Sequence, residues 1–369
     1  MSDATLSAPS VTHALPDLRL GLVPLSDAAP LLVAEAKGMF RRHGLRVALG
    51  VAPSWSALRD RVAFGVWDGA HMLGPMPLAA AAGLGGVRAE LCVTATLGRN
   101  GNTMVLGGAL QAALAGAAFP LAPGDFAAAL AGRPAVPRLA VVFPYSSHNY
   151  LLRHWLAAGG IDPDRDVELV VLPPPDLPEA LASGAIDGFC AGEPWGSRAV
   201  ELRVGRIVLT TGAIWADHPE KVLALPVSLV ARDPARVVAA TAAVIEAAAW
   251  LAQTENRAEA AHILHAELLA SVPLDVIALA LNGQLRRAPD GAPLPAPHAI
   301  RHGAAETFPD PDHAAWFAAE MHRWGHLAEA PPPGIWRPDL WRLAADAAGF
   351  AGLIPFATPL PSPSRSFAP

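Results

Sequence analysis

The chain has 369 residues, of which 52% are hydrophobic, and its 27 basic and 33 acidic side chains give a formal net charge of −6. The apolar excess is largely alanine, and the two most apolar stretches, residues 103–122 and 237–251, contain polar residues or proline, so the composition predicts no membrane insertion. The absence of a Lys or Arg cluster argues against direct nucleic-acid binding, and two cysteines are too few for a zinc site or a disulfide framework.

The first part of the chain predicts alternating strands and helices. Residues 18–24 and 45–51 have the pattern of strands, and between them a helix capped by Asp27 is predicted to continue to Arg42. A second helix is predicted from Ser54 to Ala63. This order of elements is typical of a parallel α/β sheet.

The rest of the chain repeats this pattern and then becomes helical. Strands are predicted at 138–143, 167–172, 185–190, 207–211 and 222–230. Helices are predicted at 146–158, 177–183, 234–269, 314–325 and 339–348. Such an order predicts two α/β lobes that face each other across a cleft, where strand ends and helix N-termini bind ligands.

The predicted domain boundaries follow from these elements. We expect a disordered N-terminus at 1–17, the first part of lobe 1 at 18–115 and lobe 2 at 116–222. Residues 223–354 are predicted to return to lobe 1 and to form the C-terminal helices, and 355–369 form a Pro/Ser-rich tail. The Ala-, Gly- and Pro-rich stretch 116–137 is the predicted crossing between the lobes.

The sequence gives little support for an enzyme and predicts no cofactor. It contains no nucleophile elbow, no phosphate-binding loop and no His-Glu-x-x-His zinc pair. His262 and His265 lie on one face of a predicted helix, but no carboxylate or cysteine pattern accompanies them, so a solvated face is the simpler interpretation. Cys190 ends an apolar strand and is interpreted as a buried thiol.

Binding of a small anion is better supported. Ser146 or Ser147 can cap the helix that follows the 138–143 strand, which leaves unpaired N–H groups and the positive end of the helix dipole facing the cleft. His148, in the first turn, can add a donor. The alternative is that this junction is simply a helix cap.

Three further residues are candidate ligands. Trp55 lies at another helix start, and its indole N–H can donate but not accept, although a core position is the commoner role of a tryptophan. Lys221 and Lys37 are the only lysines, and Lys221 precedes the strand that returns to lobe 1, where it can supply a positive charge. Asn102 can donate an amide proton from a tight turn, or can serve as a plain turn residue.

Several strings resemble the nitrate/bicarbonate substrate-binding proteins of the NrtA and CmpA type. The resemblance extends over about residues 18–353 and is carried by the strings at 54–60, 67–77, 146–160, 185–195 and 219–223. It implies a two-lobed periplasmic-binding-protein type II fold with a hinged interlobe cleft. A Trp, a His and a Lys hold the anion in that family, and the matching motifs assign these roles to Trp55, His148 and Lys221.

The resemblance also implies weaker candidates. A glutamine partner is typical of the family, and Asn102 is its closest substitute here. Gly192 and Glu193 line the cleft by analogy, and Glu193 is placed either to orient Lys221 or to bind a metal. Bicarbonate would need an acceptor carboxylate, for which Glu193 and Glu220 are alternatives, so the choice among nitrate, nitrite and bicarbonate stays open.

The N-terminal segment distinguishes a cytoplasmic protein from an exported one. Residues 1–16 contain no Lys or Arg and no continuous apolar region, which predicts a cytoplasmic protein. We therefore expect a nitrate/nitrite sensor resembling the cytosolic NasS-type branch, which regulates nitrate assimilation through an RNA-binding antiterminator partner. The alternative is the substrate-binding component of a nitrate or bicarbonate ABC transporter. An enzyme like the relatives that synthesise a thiamine precursor is disfavoured, because the chain lacks their Cys-rich motif.

Overall fold

The computed structural model describes residues 15–296 and 299–362. The predictions for residues 1–14 and 363–369, in the N-terminal segment and the tail, lie outside the described residues. The strands are β1 (Leu18–Leu22), β2 (Val47–Val51), β3 (Gly69–Leu73), β4 (Leu91–Thr96), β5 (Asn102–Leu106), β6 (Arg138–Val141), β7 (Glu168–Val171), β8 (Gly188–Gly192), β9 (Arg206–Thr210), β10 (Lys221–Pro226), β11 (Gln284–Leu285) and β12 (Leu294–Pro295).

The helices lie on both sheets and fill most of the C-terminal third. They are α1 (Ala29–Ala36), α2 (Met39–Arg42), α3 (Trp55–Ala63), α4 (Met76–Ala81), α5 (Gly108–Ala113), α6 (Pro123–Leu130), α7 (Ser147–Ala158), α8 (Leu177–Ala182), α9 (Trp195–Glu201), α10 (Val227–Arg232), α11 (Pro234–Ala252), α12 (Arg257–Glu267), α13 (Leu274–Leu281), α14 (Pro311–Arg323) and α15 (Pro338–Ala347).

Two five-stranded sheets form two lobes, as the α/β prediction requires. The first sheet has the order β2-β1-β3-β10-β4 and the second the order β7-β6-β8-β5-β9. Neither sheet is purely parallel, so the prediction of parallel sheets is corrected. β10 runs antiparallel to β3 and β4, and β5 runs antiparallel to β8 and β9.

The chain crosses between the lobes at places other than those predicted. The first crossing is residues 97–101, because β5 already belongs to the second sheet, and the 116–137 stretch lies within lobe 2. The second crossing is 211–220, so Lys221 begins a strand of lobe 1 rather than ending lobe 2. The residues at the ends of the two crossings, Asn102 and Lys221, therefore lie at the cleft.

Several local predictions are also corrected. Strands β3, β4 and β5 were not predicted, and all their residues are buried. The predicted strand at 222–230 ends at Pro226 and is followed by α10. Asp27 caps no helix: it lies in a single 3-10 turn, Ser26–Ala28, and its side chain points elsewhere.

Among the described residues, one helix, α11, is long and apolar enough to cross a membrane by length and composition alone. It packs against α1 and α15, and ten of its residues are buried in the core. A buried core helix meets the same criterion, so this one helix is weak evidence for a membrane span.

The lobes contact each other directly around the cleft. The Trp195 indole N–H donates to the Pro24 carbonyl at 2.8 Å, and the Ser26 amide donates to the Glu193 carbonyl at 2.8 Å. The Ser147 hydroxyl donates to the Glu220 carbonyl at 3.2 Å. These bonds hold the candidate residues of both lobes within reach of one another.

Candidate functional site

Strand direction places the candidate residues at one edge of each sheet. β1 and β3 end at this edge, and β10 begins there because it is antiparallel to β3, with Lys221 opposite Leu73. In the second sheet Asn102, the first residue of β5, is opposite Gly192, the last residue of β8. The topology thus brings Lys221, Asn102 and Gly192 to the cleft, where α/β proteins bind ligands.

Two helix starts contribute the next residues. The Ser54 and Ser146 side chains accept the backbone N–H three residues further on, at 3.2 and 3.1 Å, so each serine is an N-cap, as was predicted for Ser146. Trp55 is then the first residue of α3 and His148 the second residue of α7. Both side chains are buried.

Lys221 lies at the centre of the site. Its Nζ is 2.8 Å from Oδ2 of Asp27 and 2.9 Å from Oε1 of Glu220, and all three side chains are buried. Burial lowers the pKa of the ammonium group, but the two carboxylates outweigh it, and the net pKa is raised. Lys221 is therefore a buried ammonium ion at neutral pH.

A histidine contacts each carboxylate. His71 Nε2 is 2.9 Å from Oδ1 of Asp27, and His148 Nδ1 is 3.3 Å from Oε1 of Glu220. Burial lowers the pKa of both imidazoles although each faces a carboxylate. The two histidines are neutral at pH 7 and act as donors to the carboxylates.

The contacts of His148 differ from the prediction that it donates to an anion. Its Nε2 accepts the Val142 backbone N–H at 3.3 Å and lies 3.1 Å from Oγ of Ser146. Its Nδ1–H therefore points to Glu220. His148 positions that carboxylate from the other lobe.

The indole N–H of Trp55 is a hydrogen-bond donor without a partner in the described part of the chain. Its Nε1 is buried and has no hydrogen-bond partner among residues 15–296 and 299–362. The ring lies 5.7 Å from Lys221 Nζ and 5.4 Å, centroid to centroid, from the His71 ring. An unpaired N–H beside an ammonium group is suited to an oxygen atom that carries negative charge.

Asn102 and Gly192 lie together on the lobe 2 side. Asn102 Nδ2 donates to Oγ1 of Thr211 at 3.5 Å, and its Oδ1 has no partner in the described part of the chain. The unpaired atom is an acceptor, whereas the sequence predicted a donor. A Cβ at Gly192 would lie 3.1 Å from Cδ2 of Leu25 and 3.5 Å from this Oδ1 and from Oδ2 of Asp27, so the position is tight for any side chain.

Glu193 faces away from Lys221. Its Oε1 accepts the Thr103 hydroxyl at 2.7 Å, and its Oε2 accepts the Ser197 backbone N–H at 3.2 Å, next to the start of α9. Burial raises the pKa of this carboxyl group. Neither predicted role, orienting Lys221 or binding a metal, matches these contacts, and Glu193 instead ties β5 to α9.

Asp27, His71 and Glu220 complete the site, and the sequence did not single them out as its centre. Asp27 and His71 are 44 positions apart and meet because β1 and β3 are neighbours. The sequence predicted Asp27 only as a helix cap and Glu220 only as an alternative acceptor for bicarbonate, and His71 lies in a strand that was not predicted. Among the described residues, no group of three or more His, Cys, Asp or Glu side chains is arranged to hold a metal ion.

The chain is similar to known proteins in both sequence and fold. The NMT1-like family matches residues 12–265. The bicarbonate-binding protein CmpA of Synechococcus sp. PCC 6301 is 33% identical over 357 residues, which cover 90% of this chain and 78% of that protein. The crystal structure of the periplasmic nitrate-binding protein NrtA from Synechocystis PCC 6803 superposes with a TM-score of 0.82 at 31% identity, covering 90% of each chain.

A longer relative also contains this fold. The nitrate import ATP-binding protein NrtC of Synechocystis sp. PCC 6803 is 36% identical over 315 residues, which cover 84% of this chain. The chain spans about half of that relative, 46% of its length.

Proposed function

The chain belongs to the NMT1-like family and, within it, to the nitrate- and bicarbonate-binding proteins. We therefore propose that it binds one small oxyanion between its lobes, as the substrate-binding component of an ABC import system. The observation that carries the proposal is the buried ammonium group of Lys221 beside the unpaired N–H of Trp55. The ligand class is taken from relatives named for nitrate, nitrite and bicarbonate.

The site chemistry supports an oxyanion. A small anion needs a positive charge and N–H donors in a place from which water is excluded, since the interaction is strongest there. Lys221 begins a strand of lobe 1, and His148 with Asn102 comes from lobe 2, so a ligand between them would contact both lobes. Such a ligand favours the conformation in which the lobes are close together.

The test is calorimetric titration of the chain with nitrate, nitrite and bicarbonate. We expect binding of at least one of the three, and we expect Lys221→Met to weaken it about tenfold or more because the counter-charge is lost. Lys37→Met is the matched control, since the other lysine pairs with Glu259 at 2.8 Å outside the cleft. Equal losses in both variants, or no heat with any anion, would reject the proposal.

The preferred sequence-based function, a cytosolic sensor, is less well supported than its alternative. The relatives are named as binding proteins or as an import ATP-binding protein, which favours a role in transport. The cytoplasmic location and the antiterminator partner stay predictions from the sequence.

Deletion of the gene separates the two roles. For a transport component, we expect uptake of the anion to fall in the deletion strain. For a sensor, uptake would persist, and expression of the assimilation genes would no longer depend on nitrate or nitrite. A pull-down from native cytosol with and without nitrate tests the partner directly.

A further inference from the structure

The charged groups inside the cleft carry more negative than positive charge, which is unexpected for a site that binds an anion. Asp27 and Glu220 each place a carboxylate within 2.9 Å of the single ammonium group of Lys221. The pKa of both carboxyl groups is lowered, because Lys221 and the histidines outweigh the effect of burial. With neutral histidines, the cluster carries a formal charge of −1 before any ligand enters.

Binding of a monovalent oxyanion would change the formal charge of this buried cluster from −1 to −2. Uncompensated charge is costly away from water, and a protein normally responds by binding a counter-ion or by shifting a proton. A proton is the simplest compensation, because the cluster already contains imidazoles that are neutral at pH 7.

Two of the histidines nearby already have a hydrogen-bond partner at both ring nitrogens. His148 Nε2 already accepts the Val142 N–H, so a proton on this nitrogen would face another donor. His218, whose Nδ1 is 3.8 Å from Glu220, has Nε2 at 2.7 Å from the Thr211 hydroxyl and Nδ1 at 3.1 Å from the Pro219 carbonyl.

Among the described histidines in contact with the Asp27 or Glu220 carboxylate, His71 is the one with a free ring nitrogen. Its Nε2 donates to Asp27, and its Nδ1 is buried without a hydrogen-bond partner among the described residues. A proton on Nδ1 would meet no competing donor in the contacts of this ring. The ring also packs at an angle against Trp55, whose Nε1–H is a buried donor without a partner among the described residues.

On the basis of the proposed function, we propose that the oxyanion enters the cleft together with one proton, which His71 takes up on Nδ1. The proton comes from solvent, no covalent bond breaks, and the imidazolium stays hydrogen-bonded to Asp27. The site then gains no net charge on binding. Its ligand is thus the anion plus a proton, which is the equivalent of the neutral acid.

The other ionisable groups that face the cluster do not remove the need for a proton. His302 Nδ1 donates to the Leu97 carbonyl, 3.1 Å away, and its Nε2 is buried without a partner, but among the described residues no hydrogen bond or ion pair joins His302 to Asp27 or Glu220. The Glu193 oxygens are held by Thr103 and Ser197. Burial raises the pKa of the Cys190 thiol, so that group is neutral. Burial lowers the pKa of His71 as well, and an anion beside the ring would raise it again.

The test is titration calorimetry with nitrate, which carries no titratable proton near neutral pH, in phosphate and in Tris buffer at pH 8. Bicarbonate is titrated in the same way, since it is also a monoanion there. The difference in apparent enthalpy between buffers gives the number of protons taken up. We expect about one proton per anion and an affinity that falls about tenfold per pH unit above neutrality.

Two variants assign the proton to its site. His71→Gln keeps a donor for Asp27 but cannot take up a proton, so proton uptake and the pH dependence of affinity should both disappear. Asp27→Asn removes one negative charge, so uptake should fall toward zero while affinity at pH 8 is retained or increases. A purely structural role of these residues would not produce this pattern.

His265→Gln is the control, because this half-buried histidine bonds the Val272 carbonyl outside the cleft and should leave proton uptake unchanged. Anion binding with no proton uptake in the unmodified chain would overturn the inference and leave the proposed function intact. Uptake that persists in His71→Gln would also overturn it. Absence of binding by every anion would reject both.

Discussion

At the scale of single residues, the site depends on Lys221 in two ways. In the proposed function it offers charge to a ligand, and in the structure it neutralises two carboxylates that are buried with it. Removing one member of a buried ion pair leaves the others unpaired, which typically costs about 3–5 kcal/mol of stability. Loss of binding in Lys221→Met therefore has to be interpreted together with the free energy of unfolding of that variant.

Trp55→Phe tests the indole N–H. Phenylalanine keeps a ring against His71 and Lys221, but it removes the Nε1–H, which has no partner in the described residues, and part of a fully buried ring. We expect the free energy of unfolding to fall by about 1–2 kcal/mol because a small cavity is left, and anion affinity of the folded protein to fall roughly tenfold or more, as for a lost hydrogen bond to a charged group. Calorimetry and urea denaturation measure the two quantities.

Trp250→Phe is the matched control for this variant, since Trp250 contacts Lys37 on the surface of another part of lobe 1. Anion affinity should be unchanged in it. Unchanged affinity in Trp55→Phe as well would remove the indole N–H from the site.

The sequence predicted part of this site and missed its centre for a physical reason. Trp55 and Lys221 were identifiable because a helix start and a rare residue type are local features of the sequence. Asp27 looked like a helix cap, but its side chain bonds His71 from a neighbouring strand. Pairing between distant strands depends on sheet order, which local patterns do not contain.

At the scale of secondary-structure elements, the N-terminus of α7 supports the lobe 2 side of the cleft. Ser146 accepts the Asn149 amide at 3.1 Å and lies 3.1 Å from Nε2 of His148. We expect Ser146→Ala to lower the free energy of unfolding by about 1 kcal/mol, as loss of an N-cap does. Urea denaturation measures this change.

The matched control is Ser183→Ala. The Ser183 hydroxyl donates to the Ala180 carbonyl at 3.1 Å on an exposed turn, so its loss should change stability much less. If the two variants are equally stable, the cap does not hold the start of α7.

Sheet topology was the element-level feature that the sequence predicted least well. Strands β3, β4 and β5 are buried on both faces and so lack the alternation by which a strand is recognised. The helices and strands with clear periodicity or caps, such as α3, α7 and β1, were predicted nearly to the residue. Two lobes were therefore predicted correctly, while the crossings between them were not.

At the scale of the whole molecule, buried neutral histidines make stability depend on pH. Burial lowers the pKa of His218 and His302 to about 4 and, together with Arg99, lowers that of His313 to about 3. These values lie below that of an unfolded histidine, about 6.5. The unfolded chain therefore binds more protons as the pH falls through about 6.5, and stability present above that pH is lost down to about pH 4.

We expect a marked fall in the free energy of unfolding between pH 7 and pH 5, by roughly 1–2 kcal/mol for each of these three histidines. Urea denaturation at the two pH values measures it. His262→Gln, at an exposed position of α12, should leave this pH dependence unchanged. Equal stability at both pH values would show that these imidazoles are not held neutral.

The position of β10 in the first sheet has a consequence for synthesis on the ribosome. β10 lies between β3 and β4, yet it is made only after every strand of the second sheet. Lobe 2 is one continuous insertion and can complete its sheet early, whereas β4 has to wait for its strand partner. Because Lys221 is the first residue of β10, the last step that completes the first sheet also delivers the positive charge of the candidate site.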